Sequence, residues 1–230
     1  MESRPLVLAG SGDRFSGYAV LGVRFAAGDI LALRRFPATS VGPGYTSVWH
    51  RSPEGRWTMF QDIDVDAGCG KYFSDAVDRI HETPIRIVWT GADRFAVIVS
   101  AAEPITWDVQ LDATRASRAL GRMAAVMPPS LLRLPLLART LGSAAGGLLG
   151  AGALTLTGST PNGFHFVAHP RALWLIAASR ASIGVRPVGA VVPNTEDLRL
   201  GDFRIPRRGL FAVARATLIP GDGVAGFARG

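Results

Sequence analysis

The residues whose types and spacing fit them for chemistry fall within ten positions: Asp62, Asp64, Asp66, Cys69 and Lys71. Lys71 is the only lysine of the chain. A lysine amine forms a Schiff base with a carbonyl substrate when burial or a neighbouring cation brings its pKa down from about 10.4 toward neutrality. Asp62, Asp64 and Asp66 alternate, so an extended chain sets all three on one side, where Asp62 or Asp64 could serve as acid or base. The same D-x-D-x-D opens a calcium loop. Here, however, Ala67 stands in the place of the loop glycine and Phe73 in the place of the closing glutamate, which reads as a solvated acidic strand edge with no metal. Cys69 has no activating partner in sequence, as expected of an inert, half-buried thiol.

Four histidines complete the reactive inventory: His50, His81, His165 and His169. His165 and His169 would present two zinc ligands together only on a helix, whereas Asn162-Gly163 and Pro170 argue for sheet. The HETPI at His81 lacks the second histidine of a zinc-protease helix. No G-x-S-x-G elbow, phosphate loop or paired CxxC occurs, and no cofactor is expected.

The elements that must position these groups begin with a hairpin from Gly44 to Gln61. Tyr45, Ser47 and Trp49 share one face and Thr46, Val48 and His50 the other. After a turn at Ser52-Pro53-Glu54-Gly55, Trp57, Met59 and Gln61 alternate with Thr58 and Phe60. Before it, Phe15–Phe25 predicts a first strand and Gly28-Asp29 a turn into Ile30–Leu33, a run ended by Arg34-Arg35-Phe36-Pro37 because proline removes a ladder donor. Between Gly68 and His81 the alternation is lost, and Asp75, Val77, Asp78 and Ile80 fit a short helix.

A second hairpin follows, with Ile85, Ile87 and Trp89 on one strand and Phe95–Val99 returning. In Thr106–Asp112 the apolar Trp107, Val109 and Leu111 alternate with polar residues, the pattern of a sheet with one dry face. From Thr114 the period changes. Ala116, Leu120, Met123 and Met127 mark an amphipathic helix, and Ser130 is an N-cap for a second helical piece carrying Leu131, Leu132 and Leu134. The Gly/Ala stretch from Gly142 to Gly152 costs helix stability but permits close packing. Strands resume at Ala153, turn at Thr160-Pro161-Asn162-Gly163, and recur at Phe164–Val167, at Leu173–Ile176 and at Gly209–Leu218. Val185–Val192 fits strand or loop, and the tail from Pro220 should fray.

At 230 residues, with hydrophobic residues at 48% and charged ones at 19%, the chain has material for one core and no case for global disorder. The expectation is a single mainly β domain over 1–230. It is a curved antiparallel sheet or closed β-barrel or cone, with a helical insertion at about 114–152.

The net charge of +7 comes from arginines scattered along the chain, without the run or helix face of a specific nucleic-acid binder. One cysteine excludes an internal disulfide framework and suits a reducing cytoplasm. No secretory leader opens the sequence, and the apolar part of Leu131–Leu156 is short for a spanning helix. It reads as buried or interfacial, which leaves open a weak contact with a membrane surface. Homo-oligomerisation is also left open.

The segment from Gly42 to Tyr72 resembles the central part of the acetoacetate decarboxylase superfamily. The matching residues are Gly44-Tyr45, Gly55, the acids Asp62, Asp64 and Asp66, Gly68, Gly70 and Lys71, and Pro161-Asn162-Gly163 is similar to a later turn. The resemblance implies a β-cone around a small apolar pocket, with Lys71 as the Schiff-base residue of a β-keto acid decarboxylase. The family's paired lysines have only Lys71 as counterpart, between Gly70 and Tyr72. Two functions follow as alternatives. In one, the chain binds a small apolar, acyl or keto-acid ligand without chemistry, with Tyr45, Trp49, Trp57, Trp89 and Trp107 lining the pocket or packing beneath it. In the other, Lys71 is a nucleophile served by Asp62 or Asp64, and Arg51 or Arg86 binds the substrate carboxylate.

Overall fold

The computed structural model of the chain describes residues 7, 9–112, 114–126 and 134–221. In chain order these form β1 (Asp13–Phe25), β2 (Ile30–Thr39), β3 (Tyr45–Arg51) and β4 (Trp57–Gln61). Then come the single-turn helix α1 (Gly70–Phe73), β5 (Arg79–Glu82), β6 (Ile85–Trp89), β7 (Arg94–Val99) and β8 (Ile105–Asp112). Two longer helices, α2 (Arg115–Val126) and α3 (Pro135–Leu148), precede β9 (Thr157–Ser159) and β10 (Phe164–Ile183). The short strands β11 (Arg186–Pro187), β12 (Val191–Val192), β13 (Arg199–Leu200) and β14 (Phe203–Arg204) lead to β15 (Leu210–Pro220).

One hydrogen-bonded path connects ten of the strands in the order β5-β4-β3-β2-β1-β15-β10-β8-β7-β6. Laid flat it would be about 43 Å wide at the usual strand spacing. Its edges, β5 and β6, are separated in the chain only by Thr83 and Pro84, a link of at most about 11 Å. The sheet must therefore curl until its edges approach. The result is a half-barrel without a hydrogen-bonded β5–β6 seam among the described residues, and mainly β as the sequence implies.

All pairings along the path are antiparallel except β4–β5, which is parallel. That strand replaces the helix expected near Ile80. The local chain forms only α1 and a 3₁₀ turn at Ser74–Ala76, because Trp57 and its neighbours offer an open sheet edge. Asp78 secures the junction: its carboxylate accepts from the Trp57 N–H at 2.7 Å, and its own N–H donates to the Trp57 carbonyl at 2.9 Å.

Three further boundaries differ from the sequence reading. First, β2 does not stop at Arg34 but runs through Pro37 to Thr39. The register with β1 slips between Ser16 and Tyr18, and this bulge takes up the residue that cannot donate. Gly17 sits at the slip, where a Cβ would lie 1.9 Å from the Arg35 carbonyl oxygen. Second, β10 is one strand of 20 residues; a second slip beside Pro170 lets it continue where two separate strands were expected. Third, α3 begins at Pro135 with Leu134 as its uncapped N-cap. The expected cap, Ser130, lies outside the described residues, as do Leu131, Leu132, Met127, the first six residues and the tail after Gly221.

Buried side chains divide between the sheet's two faces. Val20, Phe25, Leu33, Phe60, Phe95, Trp107 and Phe211 belong to one cluster. Because its members come from both ends of the path, from β4 to β7, this is the enclosed side of the curl. The opposite face carries Phe15, Ile30, Tyr45, Trp49, Met59 and Phe166 and is covered by α1, by the loop carrying β13 and β14, and by α3. Two glycines of α3 face inward: a Cβ at Gly142 would lie 2.1 Å from the Leu154 carbonyl oxygen and one at Gly146 1.6 Å from that of Gly152. Small size there lets the helix lie directly on its own return segment, as the sequence reading held.

Candidate functional site: a buried arginine beside an apolar cavity

Alternation along adjacent strands creates a trough in the covered face. β1 contributes Phe15, Gly17 and Ala19, β15 contributes Ala212, Ala214 and Ala216, and β10 contributes Ala168 and Pro170. The register aligns the small ones, with Gly17 opposite Ala214, Ala19 opposite Ala212, and Ala168 opposite Ala216. Side chains this short leave space between sheet and cover, and a cavity of about 180 Å³ fills it. Tyr45, Trp49 and Tyr72 wall one end, Leu154–Leu156 and Ala145 the roof, and Phe203 the side.

The one cation buried in this apolar setting is Arg34 of β2, only 7% exposed and part of the cavity wall. It shares a face with Ile30 and Ala32 because every second residue of a strand does. Its Nη1 donates to the carbonyls of Val20 at 2.9 Å and Leu33 at 2.8 Å. Its guanidinium lies between the rings of Trp49 and Phe203, 4.7 and 4.5 Å from their centroids. Nη2 has no hydrogen-bond partner, and no carboxylate pairs with this arginine among the described residues. Burial pulls its pKa down to about 10, so it remains cationic at neutral pH.

The polar neighbours of Arg34 do not neutralise it. Cys69 is buried, and burial raises its thiol above the ordinary range although Tyr45 hydrogen-bonds to it and Arg34 lies near; the Tyr45 hydroxyl and the Cys69 sulfur are 3.5 Å apart. Tyr45 is itself pushed well up, first by burial and then by Cys69. Both are therefore protonated at neutral pH, and Cys69 is not a thiolate nucleophile. Burying a cation without a counter-charge costs several kcal/mol, on the order of the desolvation penalty itself.

Of the residues singled out from sequence, the structure brings Tyr45 and Trp49 to the cavity, joined by Cys69. Lys71 is not in its lining. It projects from α1 with 35% of its side chain exposed, and its Nζ donates to Asp13 at 2.8 Å. The Tyr72 hydroxyl donates to the same carboxylate oxygen at 2.7 Å. Asp62 accepts from the Thr46 N–H at 2.5 Å and Asp64 from the Asp66 N–H at 2.9 Å, capping a 3₁₀ turn. Both carboxylates thus hold backbone and neither lines the cavity.

Trp57 is buried in the covered face away from the cavity, and Arg51 lies 3.9 Å from Glu196. Arg86 is exposed on the edge strand β6. Trp89 and Trp107 pack on the enclosed side, Trp89 against the rings of Tyr18 and Phe95. The space expected between the curled strands is thus occupied by side chains, and the cavity lies on the sheet's other face. Sequence reasoning passed over Arg34, placing it at a strand end. The available signal was parity: an arginine in step with Ile30 and Ala32 within an apolar run.

No protein-family model matches the sequence, and no curated protein matches it. Solved structures similar in the course of the chain include two acetoacetate decarboxylases. One is the acetoacetate decarboxylase from Legionella pneumophila, at 9% identity over 95% of this chain and 90% of that one, with a TM-score of 0.44. The other is a second acetoacetate decarboxylase structure, at 10% identity over 92% of this chain and 88% of that one, with a TM-score of 0.45. At this identity and TM-score the likeness is one of chain course alone, and no residue role is carried across.

Proposed function

We propose that the chain binds a small monocarboxylate with an apolar body, an acyl or keto acid, in the trough between β1, β15 and β10. The ligand carboxylate takes the open side of the Arg34 guanidinium, and its chain lies over Ala19, Ala212 and Ala214. A single observation supports this reading: a buried, charged arginine with an unpartnered nitrogen lines a cavity whose wall, apart from Arg204 and Arg215 at its border, is mostly apolar. A carboxylate would supply the missing acceptor and the missing charge together, and arginine presents its donors in a fork that matches a carboxylate. The Schiff-base alternative calls for Lys71 at the ligand, whereas Lys71 is held at the surface by Asp13.

Binding is testable through Trp49, whose ring borders the site, by fluorescence titration and calorimetry with a series of short and medium-chain carboxylic acids. The acids should bind, while their methyl esters and the Arg34→Met variant should bind at least about tenfold more weakly, the loss expected for removing one charge-assisted hydrogen bond. Equal affinity for acid and ester in the folded protein would remove Arg34 from the reading. An absence of binding across the whole series would remove the reading itself.

A further inference from the structure

The two helices that lie on the covered face carry four exposed arginines, Arg115, Arg118, Arg122 and Arg139, and no acid. Between Ala113 and Thr195 the sequence holds eight arginines and neither aspartate nor glutamate, so the excess of +7 arises there and the rest of the chain is close to neutral. On α2, Arg115, Arg118 and Arg122 are exposed at i, i+3 and i+7, which places them in one stripe. The opposite side of α2 turns Ala116 and Leu120 onto the cluster of Leu173, Leu175 and Leu210. Leu149, at the end of α3, joins that same cluster. Both helices therefore rest on one face of the sheet and present their other sides outward together.

That outward surface also bears large apolar side chains that nothing covers. Leu136 is 79% exposed, Leu148 60%, Met123 57% and Leu134 56%. They are half of the exposed large hydrophobics among the described residues, gathered on two helices. A phosphate backbone would engage the arginines but leave these four in water. A two-fold dimer across this face would set the same arginine stripe against itself, with no acid on either helix to relieve it. An anionic lipid surface accommodates both features: headgroups meet the guanidinium groups, and the leucines enter the acyl boundary beneath them.

We propose that α2 and α3 dock the protein on an anionic membrane surface, lying in the plane of the headgroups. At 12 and 14 residues the helices are about 18 and 21 Å long, and no helix among the described residues is long and apolar enough to cross a membrane. The lipid contact is therefore peripheral. The inner side of α3 contributes Ala145 to the cavity wall, so the surface that meets lipid is also the roof of the cavity. The proposal stands on charge and exposure alone and does not depend on what fills the cavity.

The test is flotation of the full chain with vesicles of phosphatidylcholine, either alone or mixed with phosphatidylglycerol. Binding to the mixed vesicles, little binding to the neutral ones, and release by salt are expected. Replacing the stripe together, as Arg115→Gln, Arg118→Gln and Arg122→Gln, should weaken binding about a hundredfold, at roughly fivefold per arginine. The pair Leu136→Ser and Leu148→Ser should weaken it about tenfold or more while leaving the charge intact. Circular dichroism and the melting temperature verify that each variant is folded. Folded wild-type protein that stays with the soluble fraction, or floats equally with neutral vesicles, overturns the proposal. So does a glutamine variant that binds unchanged, or a preference for RNA over the mixed vesicles in direct competition.

Discussion

Phe211 and Ala212 are neighbours on β15, point to opposite sides of one sheet, and belong to two different designs. On the enclosed side Phe211 meets the rings of Tyr18, Phe95 and Trp174 at 5.4, 5.8 and 5.5 Å between centroids, and space is filled by large side chains. On the covered side the same strand offers three alanines, facing Gly17, Ala19 and Ala168 on its neighbours. Period-two alternation lets one strand serve both purposes, because each face can be composed independently. The enclosed side holds the half-barrel together, and the covered side leaves a cavity.

Volume changes should expose the difference most strongly. Phe211→Ala removes an aromatic ring from a packed cluster and should cost about 3–5 kcal/mol, read from urea unfolding. Ala214→Leu adds volume where space already exists. It should change stability by less than about 1.5 kcal/mol while abolishing carboxylate binding. If the leucine costs as much as the lost ring, the trough is not open space and the contrast between the faces collapses.

The contrast explains which features the sequence carried openly. The hairpin turns at Gly55 and Asn162-Gly163 and the dry face of β8 were readable because local turn chemistry and clean alternation determine them. The course of β2 past Pro37 and of β10 past Pro170 was not, since bulges absorbed each proline and a bulge depends on the partner strand. The parallel β5 was hidden for a similar reason: Arg79–Glu82 becomes a strand only by pairing with β4. The alanines of the trough form no motif, because they are defined by what they leave empty and by a register set across three strands. Tyr45 and Trp49 could be placed from the central hairpin. Arg34 required taking its parity with Ile30 and Ala32 more seriously than its charge.

An electrostatic comparison sharpens the point, since the chain handles a second buried charge in the opposite way. Asp29, at the β1–β2 turn, is fully buried. Arg186 holds it through two hydrogen bonds of 2.9 and 3.0 Å, and His50 Nε2 lies 2.8 Å away. Burial alone would raise the Asp29 pKa, but the hydrogen bonds and charges of Arg186 and His50 outweigh it and hold it below the ordinary value. A carboxyl with a depressed folded pKa contributes stability that is present above its unfolded pKa, about 3.9, and is lost as pH falls through the folded value. Asp29→Ala should therefore cost about 3 kcal/mol at neutral pH and should flatten the acid limb of the stability–pH curve below about pH 4. An acid limb identical to the wild type's would show that the charge was not held in this way. Asp29 is satisfied within the chain, whereas Arg34 keeps a nitrogen without a partner.

The smallest effect is expected at the residue to which the sequence first draws attention. Lys71 makes a partly exposed salt bridge with Asp13, a class of interaction contributing about 0–1 kcal/mol. Lys71→Ala should lower stability by no more than that. Since Lys71 stands outside the cavity lining, the substitution should also leave carboxylate affinity unchanged, in contrast to Arg34→Met. Borohydride reduction in the presence of β-keto acids, followed by intact mass measurement, reports directly on any imine. The mass should be that of the unmodified chain. An adduct mapped to Lys71 would mean that the α1 turn reaches the ligand in solution, and the distinction between a surface lysine and a cavity arginine would have to be abandoned.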